Sequence, residues 1–456
     1  MASLQKQRFI VILADGARYD IFKELLESER LPHLQEVFLS EGAYAKGISV
    51  FPSTTGPAYM PFLTGCFPGT CNVPGIRWFD KARYAKGGFS LERFRSYVGL
   101  ESFLMNRDMK PDLTTLFDSI NHSYNIFSSV NRGVSLSNNV TAHMRMWYWY
   151  YAHLTDRWHL VDEAALEKSL SVLKKDFEFL FVVFPGIDEY SHLSYPKHPQ
   201  SIKSYEYIDF AIGQMAQELK SQGKYEETAF FIISDHGLSE TREHFGVASS
   251  LEEKGYKVFY YPKILKKGFE VASMVSGNGM LHLYFKGESW DKKLNKEALE
   301  AYYPQLLNHL LEEPAVDLIL LRGESDWVYV LSREGSLKLR EKQEKVEFEN
   351  LKGDILKLNQ VQGNWSFEEA LVKTQATTYP DSLVQIAQIF RSSRTGDVII
   401  SASKGYDLRK RFEHPEHKSS HGGLIEEHML IPFFSSVSVT RPVLRSVDLF
   451  PTILQL

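Results

Sequence analysis

The chain has 456 residues, 43% of them hydrophobic and 24% charged, enough apolar material for one large α/β domain with an insertion or for two domains. Its formal net charge of -5 gives no global attraction for a nucleic acid duplex or an anionic membrane, so an anionic ligand must be drawn in by a local site. Cys66 and Cys71 are the sole cysteines, too few for a disulfide framework or a thiolate zinc site, and both read as structural thiols.

Met1 to Arg8 is short and polar and runs straight into Phe9 to Leu13. That leaves no room for a secretion signal and predicts a cytoplasmic protein. Phe9 to Leu13 reads as a buried strand ending at Ala14-Asp15-Gly16, which puts a carboxylate at the carboxyl edge of a sheet, where open α/β folds hold their ligands. Alone, such an aspartate is as readily a turn former. Val50 to Pro57 reads as a loop feeding a helix over Ala58 to Leu63, with Thr55 just ahead of it. Thr55 is then either a helix cap or a nucleophile whose negative charge the helix end favours.

The aromatic tract Met146 to Tyr151, flanked by His143, Arg145 and His153, reads either as a substrate wall or as core or subunit contact. Leu166, Leu170 and Leu173, and then Tyr205, Ile208, Ile212, Met215 and Leu219, recur at helical spacing. Between those helices Phe179 to Phe184 predicts a second buried strand, followed at once by Asp188-x-x-x-His192, two metal-type ligands one helical turn apart. Ala229 to Ile233 predicts a third, delivering Ser234-Asp235-His236-Gly237. The best apolar run, Phe177 to Pro185, is of strand length, so no transmembrane segment is predicted.

From Asp317 the texture changes to short alternating segments such as Trp327 to Leu331 and the charged stretch Lys338 to Lys352, until Val398-Ile399-Ile400 resumes the earlier style. The expected organisation is therefore a core of 1–316 and 397–456 with a smaller cap-like α+β insertion over 317–396. His421-Gly422-Gly423 reads as one more loop at the edge of the core, and Met429 to Leu456 as a returning strand and closing helix. Of the remaining histidines, His414, His417 and His428 are expected at the surface or behind the site.

Asp15, Thr55, Asp188, His192, Asp235, His236 and His421 together supply enough oxygen and nitrogen donors for two roughly tetrahedral metal sites with open positions. Through Ala14-Asp15-Gly16, Phe51-Pro52-x-x-Thr55, Leu63-Thr64-Gly65-x-x-Pro68, Asp188-x-x-x-His192, Ser234-Asp235-His236-Gly237 and His421-Gly422-Gly423, the chain resembles the alkaline phosphatase superfamily, in its nucleotide pyrophosphatase/phosphodiesterase branch. The resemblance implies a three-layer α/β sandwich with a central, largely parallel sheet flanked by helices. It also implies two divalent ions, Zn²⁺ with Mn²⁺ or Fe²⁺ as alternatives, one held by Asp188, His192 and His421 and the other by Asp15, Asp235, His236 and the Thr55 oxygen. Thr55 would be the nucleophile that opens a phosphodiester or pyrophosphate bond of a small intracellular metabolite.

Where that branch usually carries an asparagine, this chain reads Gly75-Ile76-Arg77-Trp78-Phe79-Asp80. Arg77 is expected either to take over as a phosphate donor, favouring a more anionic ester, or to serve as a surface ion-pairing group. The competing functions are a phosphomonoesterase on the same metals and a non-catalytic binding protein. A sulfatase ranks last, because Ser53-Thr54-Thr55-Gly56-Pro57 lacks the Cys/Ser-x-Pro-x-Arg pattern. Oligomeric state is left open.

Overall fold

Runs of β-branched and aromatic residues with no polar face can be covered only by packing on both sides, and three of them form the middle of a seven-stranded sheet. Arg8–Ala14 pairs in parallel with Phe179–Phe184 on one side and Thr228–Ile233 on the other, so Val11 lies opposite both Phe181 and Phe231. Ser123–Ile126 extends the parallel set beyond Phe179–Phe184. On the far side Leu430–Ser435 runs antiparallel between Thr228–Ile233 and Ala43–Ile48, and Val443–Arg445 closes the edge. The computed structural model describes residues 6–39, 42–87, 91–411, 415–439 and 441–456, without the side chains of Leu39 and Leu91.

Helices flank this sheet. His159–Leu173 packs on Phe179–Phe184, and the long Pro199–Ser221 helix buries Tyr205, Ile208, Ile212, Met215 and Leu219 along one stripe, as their spacing predicts. Arg145–Thr155 divides the aromatic tract by helical period: Tyr148 and Trp149 pack on the core, while Trp147, Tyr150 and Tyr151 face out. Among the described residues no helix is long and apolar enough to cross a membrane.

A second sheet has nine strands, ordered Val258–Phe259, Val271–Ser276, Met280–Phe285, Val398–Ala402, Val316–Arg322, Val328–Ser332, Gly335–Lys342, Lys345–Lys352 and Gln362–Ser366. It is antiparallel apart from its first pair. The sheet reaches outside the 317–396 span on both sides, and Val398–Ala402 is one of its inner strands. A strand buried on both faces reads the same in either sheet, because its apolar run carries no period that names its partners. The charged stretch is a hairpin whose Leu337, Leu339, Val346 and Phe348 point inward while Lys338–Glu349 and Arg340–Glu347 pair across the outer face.

Buried polar groups join the two sheets. Helix Ser382–Ile389, which packs on the second sheet, presents Gln385 Oε1 to the Phe51 N–H at 3.0 Å, while Gln388 Nε2 donates to the Phe51 carbonyl at 2.5 Å. Gln385 is in turn held by Asp381, which takes a two-pronged ion pair from Arg445 at 2.7 Å per bond.

Candidate active site

The parallel strands end on one rim, and each delivers chemistry there. Arg8–Ala14 leads to Asp15, Phe179–Phe184 to the helix Gly186–Leu193 that carries Asp188 and His192, and Thr228–Ile233 to Asp235 and His236. Gly16 lets the first two meet: its φ is +74°, and a Cβ there would lie 2.8 Å from Asp188 Cα. The Asp188 N–H donates to the Asp15 carbonyl at 3.1 Å, which fixes the approach. His421 comes from the other side, on a loop bridged to Asn278 and, through Gly422, to Ser53.

Carboxylate and imidazole atoms of Asp188, His192 and His421 lie within 4.8 Å of one another, and so do those of Asp15, Asp188 and His236. Asp188 thus belongs to both groups. Asp235 joins through its Oδ2, 3.2 Å from His236 Nε2. All six of these residues are buried. Half-buried Thr55 places Oγ1 3.0 Å from His236 Nε2 and 3.4 Å from Asp15 Oδ1. The structure therefore brings together every predicted metal and nucleophile position.

The tautomers are set from behind. Nδ1 of His192 donates to the Ser419 carbonyl at 2.7 Å, that of His421 to the Ser53 carbonyl at 2.9 Å, and that of His236 to the Gly237 carbonyl at 3.2 Å. Each Nε2 lone pair is left for the site, the usual arrangement behind a metal-binding histidine. His236 and His421 stack with centroids 3.6 Å apart, and burial holds His236 and His421 well below the ordinary histidine range and takes His192 to about 4. The rings are neutral at physiological pH.

The carboxyls are out of balance. Burial raises Asp15 to about 6 and pushes Asp188 and Asp235 well above the carboxylate range, and Glu189, beside Asp188, is raised for the same reason. Asp188 Oδ1 and Asp235 Oδ2 are buried and accept no hydrogen bond. Buried carboxylate oxygens without a donor, facing neutral imidazoles, fit divalent cations as the compensating charge.

The helical stretch after Thr55 opens with a short turn, Pro57–Tyr59, and continues as Met60–Thr64, and its N-cap is Gly56, with no side-chain capping bond. Arg77 is placed differently from a bare donor at phosphorus. It is buried, its Nε donates to Ser96 Oγ at 3.1 Å and its Nη1 to the Val275 carbonyl at 3.2 Å, and it lines a cleft with Arg409, Lys410 and Arg411.

Sequence reasoning missed Tyr59, whose hydroxyl donates to Asp15 Oδ2 at 2.5 Å, although its place four residues after Thr55 was a usable signal. It also passed over Glu189. His417 lies tilted against His192 with centroids 4.1 Å apart, and buried His428 accepts from the Gly423 N–H and meets Ser239 Oγ, bracing the His421 loop. His414 lies outside the described residues.

The fold recurs in solved structures. Phosphonoacetate hydrolase from Sinorhizobium meliloti 1021, in complex with phosphonoformate, aligns over 99% of this chain and 96% of its own with a TM-score of 0.57 at 14% identity. Murine ectonucleotide pyrophosphatase / phosphodiesterase 5 aligns over 98% and 94% with a TM-score of 0.53 at 14% identity. An inactive threonine-to-alanine form of that murine protein, in complex with AMP, matches at a TM-score of 0.53, 14% identity and 99% and 94% coverage. A search of curated proteins finds no match. A family match over nearly the whole chain makes the protein a hydrolase of the alkaline phosphatase superfamily. Within it, the profile of type I phosphodiesterase / nucleotide pyrophosphatase matches residues 9–424, and the chain belongs to that family.

Proposed function

We propose that this protein opens a phosphodiester or pyrophosphate bond of a small-molecule substrate, with Thr55 as nucleophile beside two divalent cations. The observation that carries this is the Thr55 hydroxyl, 3.0 Å from His236 Nε2 and 3.4 Å from Asp15 Oδ1, next to buried carboxylate oxygens that have no donor. The inactive threonine-to-alanine form of the murine neighbour supports a threonine in that part.

Asp188, His192 and His421 would hold one ion, and Asp15, Asp235, His236 and Thr55 the other, with Asp188 also close enough to Asp15 and His236 to serve the second ion. Oxygen and nitrogen donors without thiolate suit Zn²⁺, with Mn²⁺ or Fe²⁺ as alternatives. Bound there, the cations would supply Lewis acidity, lowering the hydroxyl pKa and neutralising charge on the phosphoryl oxygens.

Asp15 and His236 orient the Thr55 oxygen toward the open side of the rim. Thr55 Oγ, its proton given up to solvent, attacks phosphorus in line, so an Oγ–P bond forms as the bond to the leaving oxygen breaks. Water then attacks the phosphothreonine from the opposite side, Thr55 Oγ departs and is reprotonated, and the phosphate product is released. Gln385 and Gln388 of the 317–396 segment act by fixing the Phe51 backbone just upstream of the nucleophile. Arg77, held by its own hydrogen bonds, adds positive charge to the cleft it lines with Arg409, Lys410 and Arg411.

Metal-reconstituted protein assayed with bis(p-nitrophenyl) phosphate and p-nitrophenyl phosphate tests this. Faster release from the diester is expected, and Thr55→Ala should abolish it while metal content stays nearly intact. Faster release from the monoester would make the protein a phosphomonoesterase, and no release from either would leave a binding protein.

A further inference from the structure

The same rim carries a second concavity. Its wall follows Ser123–Ile126, the strand next to the one that delivers Asp188, and includes Ser128, Ser129, Asn131, Asn139 and Thr141. Its volume is roughly 450 Å³, within the range of small-molecule sites. It adjoins the nucleophile loop, since a Cβ on Gly56 would lie 2.6 Å from Met105 Cε and 3.9 Å from Ser129 Oγ.

The lining holds one permanent cation, Arg145, and no carboxylate. The guanidinium is locked in place: Nε donates to the Phe127 carbonyl at 2.9 Å, Nη1 to Ser102 Oγ at 3.3 Å, and the group sits 4.7 Å over the Trp149 ring. The bonds of Arg145 use Nε and Nη1 and none uses Nη2 among the described residues, and the residue is half-buried. The Arg145 charge is felt only weakly at Asp15, behind burial and the hydrogen bonds from Tyr59 and Thr55. The side-chain oxygens of Asn106 and Asn139 are already committed. Asn106 donates to the Ser129 carbonyl and accepts from Asn131 and Arg132, and Asn139 accepts from Asn125. They shape the cavity together with exposed His143, and Arg145 is the one permanent cation in it.

We propose that this cavity is a substrate subsite, in which Arg145 binds a second anionic group, a carboxylate or a phosphoryl, carried on the substrate apart from the phosphorus that Thr55 attacks. This rests on the phosphoester chemistry proposed above. A planar fork fixed by two hydrogen bonds and a ring has little freedom left to lose, so it selects an anion over a neutral group of the same shape.

Three non-hydrolysable phosphonates test it by calorimetric titration of the metal-reconstituted protein: propylphosphonate, 3-phosphonopropionate and propane-1,3-bisphosphonate. The two anionic tails should bind about 10-fold more tightly than the propyl tail, the order expected of one charge-assisted pair. Their comparison shows whether carboxylate or phosphoryl is preferred. Arg145→Gln should erase the gain yet leave propylphosphonate affinity within about 3-fold, and Arg145→Lys should restore part of it. Equal affinities for all three ligands in the unsubstituted protein would overturn the subsite alone, as would a gain that survives in Arg145→Gln. Failure of all three to bind would overturn both the subsite and the phosphoester reading.

Discussion

The Tyr59 hydroxyl donates to Asp15 Oδ2 at 2.5 Å, which leaves Asp15 Oδ1 directed at Thr55 Oγ1. One oxygen of the carboxylate is thereby spent on orientation and the other kept for chemistry. Tyr59→Phe removes the orienting bond without changing the packing of the ring. Its metal affinity, measured by competition with a chelator, should fall about 10-fold with the melting temperature nearly constant. Unchanged affinity would show that backbone alone aims Asp15.

Asp188 belongs to both ligand groups, whereas His192 belongs to one. Elemental analysis after dialysis should therefore find His192→Ala short of one ion per chain and Asp188→Asn short of both. Equal losses in the two variants would mean that the carboxylate is not shared.

Gln388 reaches the nucleophile loop from a different layer, donating to the Phe51 carbonyl and accepting the Gly69 N–H at 3.0 Å. Gln388→Leu keeps the volume and deletes both bonds. The expected result is kcat down about 10-fold with metal content unchanged, as small misplacements of a nucleophile are costly. A variant that lost metal in parallel with rate would move the effect from the loop to the site.

His282 is fully buried, with Nε2 donating to the Pro74 carbonyl at 3.0 Å and Nδ1 accepting the Gly396 N–H at 3.3 Å. Only the neutral ring satisfies both bonds, and burial lowers its pKa from 6.5 to about 4. Between those values the unfolded chain binds the proton and the folded chain refuses it, so stability rises with pH across the window. The contribution is complete above the unfolded value and is lost as pH falls toward the folded one. His282→Gln, compared with the unsubstituted protein in metal-free form, should flatten the dependence of the denaturant midpoint on pH between about 4 and 6.5. A slope identical in both proteins would place the acid sensitivity in other groups.

Asp15, Asp188, His192, Asp235 and His236 were legible because they follow unbroken apolar strands, whereas Thr55 and His421 stood out through the motifs around them. Tyr59 was hidden because a tyrosine inside Ala58 to Leu63 looks like core until its hydroxyl is seen to have a partner. Arg145 was visible only as a flank of the aromatic tract, because the rings that follow it drew attention to ring surfaces. The second sheet was only half legible. Its hairpins alternate as strands should, but the membership of Val398–Ala402 is settled by contacts with Met280–Phe285 and Val316–Arg322, far away in sequence. Pairing at such separation leaves no local trace.

Leu430–Ser435 sits between Ala43–Ile48 and Thr228–Ile233. During synthesis, Ala43–Ile48 must wait until Leu430–Ser435 has left the ribosome before it gains a neighbour, and Thr228–Ile233 keeps an open hydrogen-bonding edge for as long. Such an edge is a template for pairing with other nascent chains. Messages that stop short of Leu430 should thus yield insoluble polypeptide and heavy chaperone demand, with no partially active fragment.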